Sequence, residues 1–229
     1  MGSVKTKRMP RAVREQQMLD AAVKTFGQRG YMAASMDEIA ELAGVSKPLV
    51  YLYLNSKESL FSACIRREAA TLIEAVRSGV RPGTGADRQL REGLQAFFTH
   101  TARNPDGWAI LHLQARTHGE PFAAEVTAMR EEIVAFVTQL IAVAARDGGT
   151  PCSNGGESLG DHRDRDLPEN EVAGLAEALV GAAESLAAWA NVTPGVSARQ
   201  AAATLMNFAW AGLGNLMEGR PWTPPITVS

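Results

Sequence analysis

The stretch 35–60 constrains the fold most, because it predicts two short helices separated by a tight turn. Ser35 and Glu38 match the capping box, in which the serine oxygen accepts from a backbone N–H three residues on and the glutamate reaches back. Apolar residues then recur at three- and four-residue spacing until Gly44, a residue type that readily ends a helix. We therefore expect a helix that starts at Ser35, buries one face and stops near Gly44.

A second short helix is predicted directly after this turn. Ser46 is suited to an N-cap, and Pro48 lies in the first turn, where its missing N–H breaks no helical hydrogen bond. We expect Leu49 and Leu52 to face inward. The outward or half-exposed side chains are then Lys47, Tyr51 and Tyr53. A short helix of this kind can enter the major groove of DNA.

The run 45–60, VSKPLVYLYLNSKESL, resembles the TetR (tetracycline-repressor) family of bacterial transcription regulators. The resemblance extends from Arg14 to Ile65. Leu54 stands where the family usually has phenylalanine, a change that keeps the position apolar. Beyond Val80 the resemblance covers the architecture only.

This resemblance implies a regulator that binds a palindromic, double-stranded DNA operator as a homodimer. In the family the last two helices meet their copies in a four-helix bundle, and a small-molecule effector commonly binds among the C-terminal helices. We therefore expect a repressor that a small hydrophobic or aromatic effector releases from its operator. Two alternatives are a ligand-independent regulator or activator of the same fold, and a helical enzyme or carrier that has lost DNA binding.

The distribution of charge favours DNA contact near the N terminus. The net charge is −2, but residues 1–60 carry +3 and the rest of the chain carries −5. The basic residues that precede the first acidic one, Glu15, are Lys5, Lys7, Arg8, Arg11 and Arg14. A basic arm beside a DNA-binding domain can follow phosphates or enter the minor groove.

The candidate DNA-binding residues lie on the two short helices and at the start of the next one. Lysine ammonium and tyrosine hydroxyl groups can contact phosphates, and a helix N terminus offers free N–H groups to them. Lysine can also donate to guanine, whereas proline or a tyrosine ring can touch a thymine methyl. The set is Ser35, Ser46, Lys47, Pro48, Tyr51, Tyr53 and Lys57. Alternatively, the two tyrosines are core residues with exposed hydroxyls and Lys57 is a solvated lysine.

No segment has the character of a strand, so the sequence predicts an all-α fold. We expect an N-terminal arm and helix-turn-helix domain at 1–57 and a helical effector-binding and dimerisation domain at 58–229. Ser56, or Asn55, should cap a long helix that reaches Val80. The first helix is expected at 11–27. Further helices are expected from Asp87 to Asn104 and at 108–117, 122–146, 168–190 and 198–219, with a polar, glycine-rich loop at 148–170.

Residues 97–136 contain five of the nine aromatic residues that follow Val80. An apolar cavity with a few polar groups is the usual form of a small-molecule site. The candidate effector-binding residues are Phe98, Trp108, His112, Met129 and Trp189. Because aromatic residues at helical spacing also build ordinary cores, the alternative is that these side chains only pack.

Several features predict a cytoplasmic protein without a membrane segment. Residues 1–18 are basic and polar and do not resemble a signal peptide. Cys64 and Cys152 are too few for a disulfide framework, which fits a reducing compartment. The uncharged stretch 200–217 is near the minimum length of a membrane span, but polar residues interrupt it, so we expect a helix buried in a bundle or subunit interface.

The sequence also argues against metal binding and catalysis. The four histidines have no partner histidine three or four residues away and no cysteine at a ligand spacing. His162, Arg163 and Asp164 match part of a kinase catalytic loop, but the other kinase motifs are missing from the sequence. We expect no metal, no cofactor and no enzymatic activity.

Overall fold

A computed structural model describes residues 10–148 and 168–217, and every regular element in these ranges is helical. The longer helices are α1 (Arg11–Arg29), α4 (Lys57–Gly79), α5 (Ala86–Arg103), α8 (Phe122–Gly148), α9 (Glu169–Val192) and α10 (Ala198–Met217). The shorter ones are α2 (Met36–Leu42), α3 (Lys47–Leu54), α6 (Pro105–Ala109) and α7 (Ala115–Thr117), with a π-helix, Ile110–Gln114, between α6 and α7. The predicted all-α fold is confirmed.

Two predicted helix boundaries differ from the structure. Helix α1 continues to Arg29, because the residue that ends it is Gly30, whose φ of +79° favours glycine. The helix expected at 108–117 begins at Pro105, since proline fits the first turn of a helix, and it contains the π-helix in its middle. The predicted loop at 148–170 lies almost entirely outside the described residues.

The chain divides into two compact units. Unit 1 comprises residues 1–72 and 103–129, and unit 2 comprises residues 73–102 and 130–229. Helix α4 therefore contributes to both units. The predicted functional boundary between residues 57 and 58 is a different division and stays a prediction.

An aromatic cluster forms the centre of unit 1. The rings of Phe26 and Phe61 are 4.9 Å apart, and Phe61 also lies 4.8 Å from Tyr31 and 4.8 Å from Phe122. Phe26 and Phe61 are fully buried. His118 meets the ring of Tyr31 edge-on at 5.3 Å. This aromatic cluster fixes α1, α4, α8 and the link before α2 against one another.

Helix α1 also packs closely on α6 within unit 1. A Cβ atom at Gly27 would lie 2.7 Å from the Cα atom of Asp106, a distance that only a glycine permits without movement of the backbone. Beside it, Gln28 Nε2 donates to Asp106 Oδ2 over 3.3 Å. One turn further along, Gln114 Oε1 accepts from the backbone N–H of Tyr31 over 3.4 Å.

Ion pairs and apolar packing hold the helices of unit 2 together. Arg130 on α8 lies 2.6 Å from Glu177 and 3.5 Å from Glu184 on α9. The hydrogen bond with Glu177 raises the pKa of Arg130, so this guanidinium stays charged. A buried apolar cluster of Ile141, Val172 and Ala176 packs the same two helices together.

Among the described residues, one helix, α9, is long and apolar enough to cross a membrane by length and composition alone. The core helix of a soluble protein passes the same test. The uncharged stretch singled out from the sequence belongs to α10 instead. In α9, Glu177 and Glu184 lie in the helix and pair with Arg130.

Candidate nucleic-acid interface

Helix α2 begins as predicted, but a different set of hydrogen bonds holds its start. Ser35 is the N-cap, and its hydroxyl accepts from the N–H of Asp37 over 3.2 Å rather than from that of Glu38. The Glu38 carboxylate accepts instead from the guanidinium of Arg29 at 3.3 Å. The predicted capping box is therefore wrong in its hydrogen bonds, because an arginine on α1 is within reach of the glutamate.

The turn after α2 is the one that the sequence indicates. Gly44 has a φ of +65°, in the left-handed region that glycine adopts without strain. Its N–H donates to the carbonyl of Glu41, and the N–H of Val45 donates to that of Ala40. This turn directs the chain into α3, which starts at Lys47 with Ser46 at the N-cap position. The Ser46 side chain itself makes no capping hydrogen bond.

The inward face of α3 consists of Val50 and Leu54, which are 0% and 8% exposed. Leu52 is 73% exposed, so its predicted inward orientation is wrong. Leu49 is half-buried. The sequence allowed both choices, since Leu49 with Leu52 and Val50 with Leu54 are pairs at helical spacing. Packing selects the second pair, which leaves Leu52 as an outward residue that sequence reasoning missed.

Four of the predicted DNA-binding residues lie on the outward face of α3 or at its N-cap. Ser46, Lys47 and Pro48 at the N-terminal end are exposed, and Tyr51 is 38% exposed. Leu52 lies beside Tyr51 on this face. The N-terminal end of a recognition helix is the part that contacts base edges in DNA-binding domains of this kind.

Lys47 is held by an ion pair rather than projecting freely. Its Nζ atom lies 2.8 Å from Oδ2 of Asp37, which is in the first turn of α2. The hydrogen bond to Asp37 raises the pKa of the Lys47 ammonium, so the group remains charged. DNA phosphates would have to compete with this carboxylate for the lysine.

Replacing Asp37 with asparagine should release Lys47 and strengthen the salt dependence of DNA binding. Each additional phosphate contact steepens the slope of log affinity against log salt by about 0.9. The measurement is fluorescence anisotropy of a labelled DNA duplex at several salt concentrations. The control Asp87→Asn removes the same charge from α5. Equal slopes for the two variants would contradict a role of Asp37 in restraining Lys47.

Tyr53 and Lys57 lie beside the outward face and make contacts within the protein. Tyr53 is half-buried, and the guanidinium of Arg11 lies 4.9 Å above its ring. Lys57 Nζ donates to the carbonyl of Met32 over 3.2 Å and lies 4.9 Å above the ring of Tyr31. Partial burial lowers the pKa of Lys57. Both side chains stay candidates for phosphate contact, with positions fixed by these neighbours.

The start of α4 completes this surface. Ser56 caps the helix as predicted: its hydroxyl accepts from the N–H of Ser59 over 3.0 Å. Of the predicted basic arm, Arg11 and Arg14 belong to α1. The other basic residues of the arm, Lys5, Lys7 and Arg8, lie outside the described residues.

The five candidate effector-binding residues are distributed over both units. Trp108, His112 and Met129 belong to unit 1, where the rings of Trp108 and His112 stack 5.0 Å apart. Phe98 and Trp189 belong to unit 2. Trp189 is 52% exposed, whereas Phe98, Trp108 and Met129 are buried.

Unit 2 contains a small apolar cavity that sequence reasoning missed. It has a volume of about 40 Å³ and lies among α5, α8, α10 and the residues that precede α5. Leu90, Val137, Leu140, Ile141 and Trp210 form its apolar wall, and Thr84 and Gln89 supply polar groups. No sequence signal distinguishes these apolar positions from ordinary core positions.

Metal binding finds no support in the part of the chain that the structure describes. Within residues 10–148 and 168–217, no group of three or more histidine, cysteine, aspartate or glutamate side chains could hold a metal ion. Cys64 is a buried, free thiol whose pKa is raised to about 12 by burial, so it is neither a ready nucleophile nor an accessible ligand. Cys152 and His162 lie outside the described residues.

Comparison with known protein families identifies two matching regions. Residues 18–64 match the model of the bacterial regulatory proteins of the tetR family. Residues 86–154 match the model of a tetracyclin repressor-like C-terminal domain.

Individual proteins match over longer ranges. The HTH-type transcriptional activator FasR of Mycolicibacterium smegmatis is 32% identical over 215 residues, which cover 94% of this chain and 90% of FasR. The HTH-type transcriptional regulator BetI of Rhizobium meliloti is 33% identical over 121 residues, or 45% of this chain and 60% of BetI. A crystal structure of a TetR-like transcriptional regulator from Rhodococcus sp. RHA1 superimposes with a TM-score of 0.69 at 34% identity, covering 90% of this chain and 99% of that one.

Proposed function

Because this chain belongs to the TetR family of bacterial regulatory proteins, we propose that α3 reads one half of a palindromic operator in each subunit of a homodimer. The chain is a DNA-binding transcription regulator and not an enzyme. The observation that carries the proposal is the outward face of α3, the helix that follows the turn at Gly44, where Lys47, Pro48, Tyr51 and Leu52 are exposed.

The proposed dimer interface is formed by an exposed, uncharged surface on the last two helices. On α9 the exposed residues of this surface are Gly174, Ala178, Ser185, Trp189 and Val192, and on α10 they are Gln200, Ala203, Thr204, Asn207 and Phe208. Val192 and Phe208 are 79% and 76% exposed. Small residues let helices approach closely, and exposed large apolar residues gain stability when a partner covers them. We call this surface the dimer face.

We propose that a small apolar molecule regulates the protein by releasing it from the operator. The two recognition helices of a dimer must sit about 34–36 Å apart to occupy successive major grooves. A ligand that prefers a dimer with another spacing lowers the affinity for DNA by its differential affinity for the two states.

Two locations are proposed for this effector. The cavity of unit 2 is apolar with two polar residues at its edge, but its 40 Å³ is far below the roughly 300–1,000 Å³ of a typical ligand site, so a ligand would have to enlarge it. The other location is in unit 1, which contains Trp108, His112 and Met129 of the five residues proposed from the sequence; Phe98 and Trp189 of that set belong to unit 2.

The experiment that tests the DNA-binding surface is the replacement of Tyr51 with alanine. We expect affinity for the operator to fall about tenfold for each half-site, because a contact to a base or its phosphate contributes about 1–3 kcal/mol. The operator is first selected from a random DNA library with the wild-type protein, and affinity is then measured by fluorescence anisotropy. Because Tyr51 is exposed, the circular dichroism spectrum should not change.

The matched control is Leu113→Ala, which truncates an exposed side chain of the π-helix in the same unit. Leu113→Ala should bind the operator like the wild type. If Tyr51→Ala also binds like the wild type, α3 is not the recognition helix.

A second candidate function is activation of transcription. It is favoured by FasR, whose name identifies it as an activator and which matches 94% of this chain. Transcription from a promoter that carries the selected operator distinguishes the two functions in vitro. Fewer transcripts on addition of the protein would support the repressor, and more transcripts would support the activator.

A further inference from the structure

Leu52 is a large apolar side chain that α3 exposes almost completely. Its 73% exposure contrasts with the burial of Val50 and Leu54 on the opposite face of the same helix. An exposed leucine gains nothing for the isolated domain, since it keeps its apolar surface in water. On a helix as short as α3 that enters the major groove, an outward side chain near its middle can also reach base edges.

The other outward residues of α3 offer few polar groups for reading bases. Bidentate base recognition uses arginine or lysine for guanine and asparagine or glutamine for adenine, and of these α3, with the sequence KPLVYLYL, contains one lysine. Its lysine, Lys47, is paired with Asp37 at 2.8 Å. Apolar contact is therefore the main form of base recognition left to this helix.

The chemistry of the groove identifies what a leucine can recognise there. The major-groove edge of B-DNA carries one methyl group, at C5 of thymine, and apolar side chains contact it. We infer that Leu52 is a specificity-determining residue that reads a thymine methyl in each half of the operator. This inference rests on the proposed use of α3 as the recognition helix.

A double-mutant cycle between the side chain and the methyl group tests the inference. In the selected operator, each thymine is replaced in turn by deoxyuridine, symmetrically in both half-sites, which removes the methyl and keeps the base pair. Affinities of the wild type, Leu52→Ala and the control Leu113→Ala are measured by fluorescence anisotropy at one salt concentration. Circular dichroism checks that both variants are folded. We expect them to be, because Leu52 and Leu113 are exposed.

We expect one thymine position at which deoxyuridine weakens wild-type binding about fourfold for each half-site, the effect of burying one methyl group. Leu52→Ala should bind the unmodified operator more weakly and lose its sensitivity to deoxyuridine at that position alone. Leu113→Ala should respond to deoxyuridine like the wild type.

Two outcomes overturn the inference and are distinguishable. If Leu52→Ala retains the full sensitivity at every thymine, or if no thymine is sensitive in the wild type, Leu52 does not read a methyl although operator binding stands. If the library yields no preferred sequence and binding disappears with added salt, the protein makes only phosphate contacts, and the proposed function fails together with the role of Leu52.

Discussion

Replacing Phe208 with glutamate should dissociate the proposed homodimer and weaken operator binding by about 10²–10⁴-fold. Phe208 is 76% exposed on α10, within the dimer face. At a subunit interface a carboxylate would lose its hydration without gaining a partner, which is costly. A monomer then has a single recognition helix, so the second half-site no longer adds to its affinity.

Light scattering coupled to size-exclusion chromatography measures the mass, and fluorescence anisotropy measures operator affinity. Leu113→Glu places the same charge at an exposed leucine outside the dimer face and should remain a dimer with unchanged affinity. A Phe208→Glu protein that elutes as a dimer would show that the subunits associate through another surface.

Truncation of Phe61 to alanine should lower the free energy of unfolding by about 3–5 kcal/mol, the usual cost of removing a buried phenylalanine. Phe61 is fully buried and its ring lies within 4.9 Å of the rings of Phe26, Tyr31 and Phe122. The loss combines the transfer of the ring to water with a cavity that helices α1, α4 and α8 cannot close. A change of this size lowers Tm by about 10 °C in a chain of this length.

Thermal unfolding followed by circular dichroism measures this effect, with protein concentration held fixed because dimerisation shifts Tm. Phe61→Leu keeps most of the volume and should lose much less stability. The exposed truncation Leu113→Ala should change the free energy of unfolding by no more than about 0.5 kcal/mol. If Phe61→Ala unfolds within about two degrees of the wild-type Tm, the Phe61 ring does not contribute the expected stability to the aromatic cluster.

Helix boundaries around the recognition helix could be predicted because their signals are local. Ser35 and Ser56 accept from backbone N–H groups two and three residues away, and Gly44 supplies a positive φ at the turn. Such interactions join residues that are neighbours in any helical chain. The face of α3 could not be predicted in the same way, since Leu49, Val50, Leu52 and Leu54 are all apolar and an eight-residue helix allows two inward pairs.

By itself, the sequence determined that the protein is all-α, where α2, α3 and α4 begin, and which family the N-terminal third resembles. Only the tertiary structure decided that Glu38 binds Arg29, that Lys47 binds Asp37 and that Lys57 donates to Met32, partners 9, 10 and 25 residues away. It also placed Leu52 outward and divided the aromatic candidates between two units. The reason is that an N-cap hydrogen bond joins residues within a single turn of one helix. A charged or apolar side chain, in contrast, has several possible partners, and the positions of other helices select among them.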